Sequence, residues 1–77
     1  MNKEQKYIAT QAIFEALTGG RKLSQMDCRE FEVEDMRTPI SHMKDMFDNA
    51  GFNLYSQWIE TPKGRRIKEY WLVKRTN

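Results

Sequence analysis

GFNLYSQWIETPKGRRIKEYWLV, running from Gly51 to Val73, carries the pattern on which the fold turns. Phe52, Leu54, Ser56 and Trp58 alternate with Asn53, Tyr55, Gln57 and Ile59. After Thr61-Pro62-Lys63-Gly64, the return run alternates Lys68, Tyr70 and Leu72 with Ile67, Glu69, Trp71 and Val73. A period of two in β-branched and aromatic residues predicts strands, and the Pro/Gly connection predicts a β-hairpin. Both faces carry aromatics, so parity alone leaves the buried face open; we expect Leu54, Trp58, Tyr70 and Leu72 to point inward. A two-stranded hairpin alone is marginal in water, so the preceding residues must cover it.

Those residues read as helices. Ile8, Ala9, Ala12, Ile13, Ala16 and Leu17 form one apolar stripe over residues 5–17, closed by Gly19-Gly20. A second helix is expected at Ser24, whose hydroxyl can cap, with Asp27 as capping-box partner and Leu23 as a staple onto Cys28. Cys28 and Phe31 would face the core, and the acidic Glu32-Val33-Glu34-Asp35 would turn. Thr38-Pro39 signals a third helix, Thr38 as N-cap and Pro39 at the first helical position. Ile40, Met43, Phe47 and Ala50 would be its buried face, joined by Met36, with Gly51 as terminator. Tyr7, Phe14, Met46, Tyr55 and Trp71 are apolar residues this core does not claim; Phe14 and Trp71 exposed together would mark a partner surface.

Seventy-seven residues make one domain, spanning 1–77, and so small a core buries only about 60% of the unfolded chain's surface. With Cys28 and His42 as sole cysteine and histidine, an internal disulfide and a Cys/His metal cluster are both excluded. No cofactor is expected, and a reducing cytoplasm is the natural setting. No apolar run approaches the ~20 residues of a membrane span, and the polar start Met1-Asn2-Lys3-Glu4-Gln5-Lys6 is unlike a signal peptide. The net charge of +2 is unevenly distributed: residues 51–77 hold six Lys/Arg against two Glu, whereas residues 21–50 hold five against seven acids. A basic hairpin on a near-neutral body points to a local anionic contact.

From Leu17 to Leu72 the chain resembles small winged helix-turn-helix proteins of bacteria and their phages. The landmarks are Gly20, Leu23-Ser24-Gln25-Met26-Asp27-Cys28, Met36-Arg37-Thr38-Pro39-Ile40-Ser41, Met43-Lys44, Ala50-Gly51-Phe52, Leu54 and Tyr70-Trp71-Leu72. The resemblance implies an α+β fold: a three-helix winged helix-turn-helix with a C-terminal two-stranded β-hairpin wing. It further implies a phage or prophage regulator of transcription that binds double-stranded DNA. Where such proteins are basic before the glycine, this chain carries Asp45, Asp48 and Asn49.

In helix-turn-helix proteins the start of the recognition helix meets base edges. The candidates here are Arg37, Thr38, Ser41, His42 and Asp45, with Lys44 nearer the backbone. Arg37 can read guanine and Asp45 can accept from cytosine. On the wing, Lys63, Arg65, Arg66 and Lys68 can neutralise phosphates, although edge strands also carry cations simply to block aggregation. Lys22, Ser24 and Gln25, with Arg21, would place the second helix's N-terminus on phosphate.

An enzyme is not expected. Ser41 and His42, adjacent on a helix, diverge by about 100° and cannot easily form a nucleophile–base pair with Asp45 behind them. Cys28 reads as a small core residue. Glu30, Glu32, Glu34 and Asp35 lack calcium-loop spacing. A lone domain of this charge would gain specificity from a homodimer reading two half-sites. The alternative is a non-enzymatic interaction module, a phage-encoded inhibitor of a host protein, favoured by the acids between Glu30 and Asp35 and by Asp45 and Asp48.

Overall fold

A computed structural model describes residues 3–76, with side chains from Ile8 onward, so that of Tyr7 lies outside the described residues. The order is α1 (Lys3–Thr18), β1 (Leu23–Ser24), a 3₁₀ turn (Gln25–Asp27), α2 (Arg37–His42), α3 (Lys44–Asn49), β2 (Phe52–Glu60) and β3 (Arg66–Lys74). The fold is α+β, with three α-helices against a three-stranded antiparallel sheet ordered β1-β3-β2.

Helix α1 follows its apolar stripe. Ala9, Ile13 and Leu17 are buried, and Ala12 and Ala16 pack beside them. Ile8, expected on the stripe, is 64% exposed. It lies on the flanking row with Ala12 and Ala16, and the small body does not reach that flank in its turn. The helix ends as a Schellman motif: Arg21 N donates to Ala16 O (3.0 Å), Gly20 N donates to Leu17 O (3.1 Å), and Gly20 takes φ +99°.

The expected second helix is replaced by strand β1 and one 3₁₀ turn. Its capping box does form: Ser24 N donates to Asp27 Oδ2 (2.8 Å) and Met26 N donates to Ser24 Oγ (3.2 Å). Leu23 and Ser24, however, pair with Tyr70 and Glu69, which makes the expected two-stranded hairpin a three-stranded sheet. Beyond Asp27 the chain continues in turns and leaves them at Glu32, with φ 56°, where Val33 N donates to Cys28 O (3.0 Å). Three acids in Glu32–Asp35, and core contributors at Cys28, Phe31 and Val33 of which only Phe31 is fully buried, give no stripe on which a longer helix could pack.

The third helix is also altered. It begins at Arg37, one residue before the expected cap, because Asp35 supplies the acceptors: Arg37 N donates to Oδ1 (3.0 Å) and Thr38 Oγ1 donates to Oδ2 (2.9 Å). A break at Met43 (φ −96°, ψ 4°) divides it into α2 and α3. Met36, Ile40, Met43 and Phe47 are buried as expected, whereas Ala50 is exposed because α3 stops at Asn49.

The core gathers Ile13, Leu17, Leu23, Phe31, Met36, Ile40, Met43, Phe47, Tyr70 and Leu72. Phe14 stacks on Phe47 (5.5 Å between centroids). On the outer sheet face Trp71 stacks on Tyr55 (6.1 Å), so Phe14 and Trp71 are both half-buried and belong to separate stacks. The β2–β3 ladder runs from Phe52↔Lys74 to Glu60↔Arg66. On its inner face Tyr70 and Leu72 are buried and Leu54 is half-buried, but Trp58 is 59% exposed. The parity is as expected, and the strands simply extend past the core.

Candidate nucleic-acid interface

Because the hairpin extends past the core, its inner face overhangs the turn and helix before it, leaving a cleft of about 760 Å³. Gln25, Met26, Asp35 and Arg37 line one side; Trp58, Thr61, Pro62, Lys63, Arg65, Arg66, Ile67 and Lys68 line the other. A smaller cleft of about 240 Å³ lies between Arg37, Ile40, Ser41 and Lys44 of the helices and Leu54, Ser56, Lys68 and Tyr70 of the sheet. Arg37, Lys68 and Tyr70 line both, so the two form one continuous groove.

The electrostatics of this groove are one-sided. Arg37, Lys44, Lys63, Arg65, Arg66 and Lys68 line it, and Asp35 is the one carboxylate among the lining residues. Asp35 is itself engaged: the Thr38 hydroxyl, and after it the Arg37 amide, hold its carboxyl below the usual range. Burial pushes the Tyr70 phenol up, so it stays protonated at neutral pH.

Local structure places the cations. Trp58 faces Lys68 across the ladder and Glu60 faces Arg66. The connection is closed by Thr61 N to Arg65 O (2.8 Å), Gly64 N to Thr61 O (2.9 Å) and Arg65 N to Thr61 Oγ1 (3.1 Å). Gly64 takes φ +84°, a conformation that costs other residues strain. Arg66 and Lys68 stand over the Trp58 ring at 5.6 and 5.5 Å.

Of the residues expected on sequence grounds, Arg37, Ser41, Lys44, Lys63, Arg65, Arg66, Lys68 and Gln25 line the groove. Gln25 also has a structural task, its Oε1 accepting from Met36 N (2.6 Å) and Cys28 Sγ (3.3 Å). Thr38, His42 and Asp45 are exposed but do not line it. Ser24 is buried within its capping box, and a single 3₁₀ turn presents no helix N-terminus to phosphate. Lys22 stands over Trp71 (5.0 Å), outside both clefts. Arg21 is held by both carboxylate oxygens of Glu30 (2.6 Å each) and by Asp27 (3.3 Å), and it lies over Phe31. This pairing pushes the Arg21 guanidinium up and the Glu30 carboxyl down.

Sequence reading missed Met26, Asp35, Trp58 and Ser56 as groove residues. The three-residue spacing of Asp35 and Thr38, which favours a local side-chain bond, is the signal that could have found Asp35. Asp48, an acid before Gly51, is bonded to Arg75 (2.7 Å), which also donates to Asp48 O (2.5 Å).

No hydrogen bond joins Ser41, His42 and Asp45 among the described residues. Burial pushes the Cys28 thiol up, which disfavours its thiolate. Among the described residues no group of three or more His, Cys, Asp or Glu is placed to hold a metal ion, and no helix is long and apolar enough to cross a membrane. The chain matches no protein-family model, no curated protein and no solved structure.

Proposed function

We propose that this chain is a winged helix-turn-helix variant that binds double-stranded DNA as a non-enzymatic regulator. One observation carries the reading: six cations and a single, internally bonded carboxylate line a groove joining the start of α2 to the tip of the hairpin. In this reading α2 enters the major groove with Arg37 and Ser41 toward base edges, and Lys44 lies on the backbone. The hairpin is the wing, with Lys63, Arg65, Arg66 and Lys68 on flanking phosphates. The sheet order supports the assignment, since β1 beside β3 braces the hairpin against the helices.

The acids are placed compatibly. Asp48 is paired with Arg75, Glu30 and Asp27 with Arg21, and Asp45 lies outside the groove. Ser24 and Lys22 lie outside it as well, which narrows the DNA contact to α2, α3, the wing and Gln25 of the 3₁₀ turn.

Fluorescence anisotropy with a mixed-sequence duplex, titrated across salt, tests this. Affinity should fall steeply with salt, and Arg65→Ala with Arg66→Ala should reduce the slope of log K against log salt by about 1.8, roughly 0.9 for each phosphate that is no longer neutralised. No detectable binding at low salt would sink the proposal. Capture of a host protein would then favour the interaction-module reading, for which the exposed Glu32 and Glu34 are the available surface.

A further inference from the structure

The far half of the hairpin holds an aromatic ring that lies outside the core. Trp58 lies on the sheet face that buries Tyr70 and Leu72, yet it is 59% exposed. Met26, which lines the same cleft, is 64% exposed. Arg66 and Lys68 stand over the indole at 5.6 and 5.5 Å, flexible cations that an incoming base would displace from the ring onto its own phosphates. An open apolar ring ringed by positive charge suits a ligand that is flat, aromatic and anionic at once. A nucleotide has those properties, and about 760 Å³ lies in the ~300–1,000 Å³ range of small-ligand sites.

Resting on the duplex-binding reading, the geometry points to Trp58 as a stacking platform for an unpaired base. The preferred ligand would be a duplex that adjoins a short single-stranded segment. Away from its ends, an intact duplex shows a protein only base edges, because the faces are covered by the stack. An indole face is therefore useful only to a base that has left the stack, and such stacking is tolerant of sequence. Insertion as a wedge between base pairs requires a residue at a leading tip. Here the tip is Thr61–Arg65, and Trp58 sits three residues behind it on the cleft wall, so the base must come to the ring. Lys68, directly across the ladder, and Arg66 are placed to take the phosphates on either side.

The test compares a blunt duplex with the same duplex carrying a five-nucleotide overhang, at equal salt. It uses the full chain with Trp71→Phe, so that Trp58 is the only tryptophan. The overhang should tighten binding by roughly ten-fold and quench Trp58 emission further than the blunt duplex does. Trp58→Ala should erase the preference without altering the salt slope, and Trp58→Phe should retain most of it. Equal affinity for both duplexes without further quenching by the overhang, or a preference that survives Trp58→Ala, overturns the inference while leaving duplex binding intact. Failure of every nucleic acid to bind at low salt overturns both.

Discussion

At Asp35 and Thr38 two local preferences meet, and charge decides between them. A threonine before proline is a good N-cap, but here its hydroxyl donates to the Asp35 carboxylate, which also accepts from the Arg37 amide. A charged acceptor binds more strongly than a hydroxyl oxygen, so the helix opens one residue early. Asp35→Ala should cost about 1 kcal/mol, read from urea midpoints at pH 6. The pH dependence has a definite sign. Because the folded carboxyl titrates below its ordinary value, this stabilisation is complete above about pH 4 and is lost as pH falls through the lower folded value. Asp35→Asn should therefore lose less stability than the parent between pH 4 and pH 2. Gly51 offers a second residue-scale check. Its φ is +88°, and an added Cβ would meet nothing within 4 Å. Gly51→Ala should thus cost about 1 kcal/mol through backbone strain alone, measured as a shift in urea midpoint.

Each element owes its extent to what covers it. Phe47, 1% exposed and stacked on Phe14, ties α3 to α1. Phe47→Ala should cost about 3–5 kcal/mol, enough to leave so small a domain largely unfolded at 37 °C by circular dichroism. The hairpin is uneven along its length. Near the helices Leu54, Tyr70 and Leu72 pack on the core, and Arg75 fastens the end of β3 to Asp48, Phe52 O and Asn53. Beyond Ser56 no core residue remains: the ladder is joined there by the Gln57–Glu69 side-chain bond (3.0 Å), the Ile59–Ile67 pair and the Trp58 ring under its cations. Ladder amides between Gln57 and Glu60 and between Arg66 and Lys68 should exchange with deuterium faster than those beside Leu54 and Leu72.

Across the whole molecule, where a charge sits matters more than how many there are. Arg21 and Arg37 carry the same charge, but Arg21 is held by Glu30 and Asp27 while Arg37 lines the groove. Arg37→Ala should weaken duplex binding by about 1 kcal/mol or more, and Arg21→Ala should leave it nearly unchanged, both by anisotropy at one salt concentration. Equal losses would mean that net charge alone drives binding.

The two hairpin strands were legible in their period of two, and the buried rows of α1, α2 and α3 in Ile13, Leu17, Ile40, Met43 and Phe47. So were the helix stops at Gly20 and Gly51 and the basic hairpin tip. These are local properties, set by backbone conformation and side-chain periodicity, and most of the candidate cations were legible for the same reason. The pairing of Leu23–Ser24 with β3, in place of a second helix, was settled by tertiary contact, since that choice depends on a partner almost fifty residues away. Tertiary structure alone decided that Trp58, inward by parity, would stand in a cleft instead of a core. Parity fixes the side of the sheet a residue takes, but whether anything lies opposite depends on how far the rest of the chain reaches.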